Sequence, residues 1–232
     1  MRAFPLRPFH VSLAVPLFAL LASASAHANL FCVGSSTELQ TALTQSSVGG
    51  IHAGENNVIY LKAGTYTTGA ATSGGPFSFH AGAATHLDIL GGFNASCTVR
   101  EHDSSLSVIS GGHATQALKL RGAGGNIELY GFSIVDGENT LGDGGGLIIN
   151  PQAGDDASIV VENVIFHGNH TTHFAGAVLA NSQTSALSFL GNLLHDNSAD
   201  QGDGGAELIA DGTSGTVANN ASDAVGKRAD LG

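Results

Sequence analysis

The sequence predicts an all-β fold: a right-handed, single-stranded parallel β-helix (a solenoid) with one capping helix at its amino-terminal end. Three observations predict it. The 232 residues hold 33 glycines and no tryptophan, and only 12% are charged. Short apolar runs are divided by Gly, Asn, Asp and Ser turns, the spacing of an all-β chain. One short pattern is written about twice between Gly144 and Leu208, at a step of roughly 28–30 residues, inside the range that marks solenoids and propellers.

Residues 1–28 read as a cleaved secretory signal. Arg2 and Arg7 make a basic start, Val11 to Leu21 is an apolar core broken only by Ser12 and Pro16, and Ala26-His27-Ala28 puts small residues where a signal peptidase reads them. Cleavage between Ala28 and Asn29 implies a secreted, periplasmic or cell-surface protein. The core is too short for a spanning helix, which needs about 20 residues. Bulky Phe31 ahead of Cys32 does not fit a bacterial lipid anchor. Without the leader the balance is 6 basic against 19 acidic residues, or −13, a surface that repels nucleic acid and anionic lipid. Cys32 and Cys97 are the only cysteines, and in an oxidising compartment a disulfide between them is expected. It would close a loop of about 65 residues and contribute about 4 kcal/mol through chain entropy.

Residues 29–50 are expected to form the cap. Ser35 and Glu38 stand at capping-box spacing, Leu39, Ala42 and Leu43 recur on one helical face, and Val48-Gly49-Gly50 ends the helix. Such a helix is placed to cover the open end of a stacked β-structure. Residues 51–220 are expected to form the coils. Strands are read at Asn57 to Leu61, ahead of the Gly64-Thr65-Tyr66 turn, then at Phe77 to His80, Leu87 to Phe93, Leu106 to Ser110, Ala117 to Leu120 and Asn126 to Val135. No helical stretch of ten or more residues divides them, which excludes βαβ units. The two-residue turns of a hairpin sandwich and the blade period of a propeller are also missing.

The repeat fixes the expected register. Asn163 to Asn169 is followed by Ala175-Gly176-Ala177-Val178, and Gly191 to Asn197 by Gly204-Gly205-Ala206. A looser copy, Gly131 to Asn139, precedes Gly144-Gly145-Gly146-Leu147. With coils about 4.8 Å apart, Phe166 and Leu194 stack inside, joined by Ile134, each burial contributing about 1.5–3 kcal/mol. Asn139, Asn169 and Asn197 are expected to form an amide ladder, and the small Ala177 and Ala206 to fill inward corners.

Phe166-His167-Gly168-Asn169, alternating with Gly204-Gly205-Ala206, resembles the two short motifs of the polymorphic outer membrane protein repeat. The amino-terminal part, with Cys32, Ala63-Gly64-Thr65-Tyr66 and Gly91-Gly92-Phe93 leading to Cys97 and Arg100, resembles the opening of exported β-helix proteins of Gram-negative bacteria. The resemblance implies the pectate-lyase-like fold and a bacterial surface address. The chain departs from the pattern at Leu194, at the imperfect glycine motifs Gly144-Gly145-Gly146 and Ala175-Gly176-Ala177, and from Val217 onward. Residues 221–232 therefore read as the irregular tail of a truncated chain, lacking a barrel of alternating apolar strands. An uncapped last coil implies self-association by strand pairing.

The residues give no catalytic site. Hydrolysis of a glycoside needs two carboxylates about 5–9.5 Å apart, and Asp155-Asp156, the one adjacent acidic pair, sits in a turn. The resemblance implies that a lyase would use an arginine or lysine, for which Arg100, Lys119 and Arg121 are the candidates. His167, His170 and His173 span a strand end and a turn, where imidazoles need not converge, and His195 stacks one coil from His167. No metal site and no cofactor are therefore expected, beyond weak calcium binding at corner acids such as Asp136, Asp143, Asp196 and Asp203. Two functions remain open: a non-catalytic exported β-helix of structural or adhesive role, contacting a glycan or a surface protein, and a degenerate polysaccharide lyase or glycoside hydrolase.

Overall fold

A computed structural model describes residues 28–82, 85–121, 125–150, 158–180, 186–201, 205, 208–210, 215–218, 221–222 and 229–231. The chain winds as a parallel β-solenoid of about five turns, with one helix near the amino terminus. A seven-stranded sheet holds Ala28–Val33, Asn56–Lys62, His86–Phe93, Ile127–Tyr130, Ser158–Glu162, Ala186–Leu190 and Gly215–Ala218. A six-stranded sheet holds Gly64–Thr67, Ser107–Ser110, Ser133–Val135, Ile165–His167, Leu193–His195 and Ala221–Ser222. A four-stranded sheet holds Phe77–His80, Leu118–Arg121, Leu147–Asn150 and Val178–Ala180. Between the second and third sheets lies a corner sheet of two-residue strands, Glu138–Asn139, His170–Thr171 and Ser198–Ala199.

Alternation along each strand sends one side chain in and the next out, so every sheet contributes inward columns. The first supplies Ile59, Ile89, Leu129, Val161 and Phe189. The second supplies Tyr66, Ile109, Ile134, Phe166 and Leu194, and the third Phe77, Leu118, Leu147 and Val178. All are buried in one core. Phe166 thus pairs with Ile134 on one side and Leu194 on the other, the stack expected from the repeat, and its ring lies 5.9 Å from that of Phe189 across the core.

The helix α1 (Ser36–Ser46) buries Leu39, Ala42 and Leu43. Its cap is a variant of the expected box. Ser35 Oγ accepts from the Glu38 N–H at 3.3 Å, while Glu38 Oε2 accepts from Gly34, one residue earlier than the box geometry, at 2.7 Å. The helix also closes the edge of the four-stranded sheet. The Gln40 amide accepts from the Ser78 N–H and donates to the Ser78 carbonyl, and Ser47 Oγ accepts from the His80 N–H. Side chains thus occupy the hydrogen bonds that another strand would otherwise take, which protects an exposed edge.

Four features differ from the sequence reading. Gly64-Thr65-Tyr66, read as a turn, is the strand Gly64–Thr67, with Tyr66 buried inward. Asn126 to Val135 is two strands on two sheets, broken at Gly131. That residue has φ +70°, and a Cβ there would lie 2.7 Å from the Arg100 guanidinium. Ala28–Val33, ahead of the helix, is a strand in register with Asn56–Leu61. Pairing also continues past residue 220, with Ala221 beside Leu193 and Ala229–Leu231 beside Leu208–Ala210.

Candidate functional site

The expected disulfide joins Cys32 and Cys97, with Cα atoms 5.9 Å apart. Cys32 faces outward on the first strand, and its column continues through Tyr60, Leu90 and Tyr130. The segment after Phe93 folds back over that column as a strap. The Phe93 ring stacks on Tyr60 at 3.9 Å, and the Arg100 guanidinium lies 4.3 Å from the Tyr130 ring centre. Arg100 Nε and Nη2 donate to the carbonyls of Gly91 and Tyr130, each at 2.9 Å. Further along, Ser133 Oγ donates to the Ser104 carbonyl at 2.8 Å. Arg100, one of the three sequence candidates for a lyase base, is therefore a fastener. Burial lowers its pKa, with the neighbouring Tyr130 and Glu128 opposing, and its Nε and Nη2 are tied to backbone carbonyls.

The asparagine ladder has two rungs in the described residues. Asn169 Nδ2 donates to Asn197 Oδ1 and to the Ile134 carbonyl, each at 2.9 Å, and Asn197 Nδ2 donates to the Phe166 carbonyl at 2.9 Å. Asn139, expected as a third rung, lies elsewhere. Its register partner is Thr171, and its Nδ2 donates to the Asp143 carbonyl across a turn. The corner comes three residues after the inward Ile134, which makes Gly137 the rung. Its N–H donates to Asn169 Oδ1 at 2.9 Å, and a Cβ there would meet the Gly145 carbonyl at 2.2 Å. Asn192 is a buried amide the sequence reading did not single out. It accepts from the Val164 N–H and donates to the Val161 carbonyl at the corner between the first two sheets. Its one signal was its place in the repeat, directly after Gly191.

The outward faces hold the charged groups. On the seven-stranded sheet the register sets Asp88 beside Glu128, with His86 Nε2 3.3 Å from Asp88 Oδ1. Burial raises the pKa of both carboxyls, His86 opposing this at Asp88 and Asp88 reinforcing it at Glu128. Residues so far apart in sequence gave no sign of meeting. Asp155-Asp156 and Asp203 lie outside the described residues, as do Gly204 and Ala206. Buried Ala177 is at the expected inward corner.

On the four-stranded sheet, Lys119 and Arg121 alternate with inward Leu118 and Leu120, and Arg121 pairs in register with His80. With Gln40, Thr44 and Val48 of the helix end they line an open groove of about 480 Å³. Burial lowers the Lys119 pKa, and Arg121 lowers it further. Among the described residues, neither cation is paired with a carboxylate within 4 Å.

The repeat histidines separate. His170 Nδ1 meets Glu138 Oε1 at 2.8 Å in the coil before, and its Nε2 meets Asp200 Oδ1 at 3.1 Å in the coil after. His167 and His195 stack with ring centres 4.3 Å apart, beside Asp196. His173 shares neither arrangement.

No protein-family model, curated protein or solved structure matches the chain. The fold and these surfaces define its class, a disulfide-fastened parallel β-solenoid.

Proposed function

We propose that the chain is an exported, non-catalytic β-solenoid of the bacterial surface or periplasm that binds an anionic glycan along its four-stranded sheet. The observation that carries this reading is the groove of His80, Lys119 and Arg121. It gathers the Lys119 and Arg121 cations on one face of a chain whose formal net charge is −11, so a polyanion repelled elsewhere is drawn to that face. The groove is open to solvent between the helix end and the sheet, so a chain can lie across it. The likeness to the polymorphic outer membrane protein repeat supports export and a pectate-lyase-like ancestry.

Calorimetry with an oligogalacturonate and a neutral oligosaccharide of equal length tests the reading. Binding of the anionic chain alone is expected, weakened by salt and by at least about tenfold in Lys119→Glu and Arg121→Glu, the loss of one charge-assisted contact. Equal binding of both sugars, or indifference to both charge reversals, would end it.

A second reading, a divergent lyase, is favoured by the lowered pKa of Lys119 beside Arg121. In its neutral form, which burial favours, the Lys119 amine would take the proton α to a uronate carboxylate that the guanidinium holds. Ultraviolet absorbance of an unsaturated product, measured with and without calcium, separates the two readings.

A further inference from the structure

His167 Nδ1 is shut off from solvent and makes no hydrogen bond. Its neighbour is Asp196 Oδ2 at 3.5 Å, and His195 Nδ1 approaches that same oxygen at 3.0 Å. Three potential ligand atoms, one from each side chain, lie within 4.8 Å of one another. The backbone accounts for the convergence. His167 and His195 are register partners at the end of their strands, and the next corner position is left-handed in each coil, at Gly168 with φ +63° and Asp196 with φ +53°. That turn swings the Asp196 carboxylate back beside the stacked rings.

We propose that His167, His195 and Asp196 bind a divalent transition-metal ion of the zinc, nickel or copper kind, held across two successive coils. The two separations from Asp196, 3.0 and 3.5 Å, bracket the ligand-to-ligand edge of about 3.3 Å in a tetrahedron with bonds of about 2.0–2.1 Å, and the separation between the imidazoles, within 4.8 Å, closes to that edge on binding. The rings are stacked, 25° from parallel, so binding requires them to swing apart at the Nδ1 edge until both lone pairs meet at one centre. Each imidazole then keeps its proton on Nε2. Two imidazoles and one carboxylate suit borderline transition ions. Calcium and magnesium require oxygen ligands in greater number. His167 Nδ1 is covered, whereas the Asp196 carboxylate is 69% exposed, so an ion enters from the Asp196 side and water there completes its coordination. His170 takes no part, because both its nitrogens are engaged by carboxylates. Bound metal would tie neighbouring coils and stabilise the folded chain by linkage.

Equilibrium dialysis of the chelator-treated full chain against zinc ion tests the site, with cobalt(II) absorption reporting its geometry. One ion per chain with a tetrahedral cobalt spectrum is expected. His195→Ala and Asp196→Asn should each weaken zinc at least about tenfold, the scale of losing a metal-site partner, with unchanged circular dichroism. His173→Ala should bind zinc as the wild type does. A zinc-dependent rise in Tm, present in the wild type and lost in His167→Gln, gives a second readout on folded protein. Zinc bound equally by wild type and His195→Ala, zinc bound by neither, or an equal loss in His173→Ala overturns the proposal.

Discussion

The two halves of the solenoid hold the same coil together by different means. Residues 28–121 contain the helix, the disulfide and most of the strap, in which Arg100 clasps Tyr130. Residues 127–201 have none of these and rely on repeated residues stacked in register. Asn169 bonds Asn197, and His167 lies over His195. The amino-terminal coils have an end to close and do not repeat the motif, so like side chains meet one coil away at only a few positions, such as Asn29 beside Asn57 and Ile59 beside Ile89. They are fastened by contacts between unlike groups far apart in sequence. In the repeat half each coil presents the next with a copy of itself, and short polar side chains suffice.

Removing a shared element gives the largest expected effect, because the Tyr66 to Leu194 column runs through both halves. Phe166→Ala should cost about 3–5 kcal/mol, read from denaturant unfolding, while outward His167→Ala in chelator should lie within about 0.5 kcal/mol of wild type. Equal losses would mean that the register is wrong and that the halves share no core. The covalent fastener separates the halves more sharply. Cys32→Ser with Cys97→Ser should cost about 4 kcal/mol, the chain entropy of the closed loop. Hydrogen exchange should quicken first in Ala28–Val33 and Asn56–Lys62. Equal quickening at Ile165–His167 would abolish the distinction.

Much of this was legible in the sequence, for identifiable reasons. A period of two along strands and of one coil along the repeat placed Phe166 against Ile134 and Leu194, because inward apolar residues recur at a fixed step. The disulfide followed from there being only two cysteines. Asn139 misled because its match was by residue type, whereas the corner counts three residues from Ile134 and falls on Gly137. Arg100 over Tyr130, Asp88 beside Glu128 and the Lys119 groove depend on coil lengths that vary between repeats, and no local pattern encodes them. The histidines fall between these cases. Their stacking follows from the repeat, but the turn of Asp196 toward them depends on a left-handed backbone that the sequence does not announce.

The smallest expected effect concerns His170, which bridges three coils of the repeat half with one ring. Hydrogen bonds to the carboxylates of Glu138 and then Asp200 raise its pKa above the usual histidine value, against a smaller opposing effect of burial. A raised folded pKa means that the native chain holds the proton more tightly than the unfolded chain. The contribution is therefore complete below about pH 6.5, the unfolded value, and is lost as pH rises through the folded pKa. His170→Gln keeps a donor without the charge. Melting both proteins in chelator across that interval should give a Tm difference that shrinks as pH rises, with Asp200→Asn reducing it further. A difference independent of pH would show that the ring acts only as a neutral donor, and the repeat half would then be held without a charged bridge between its coils.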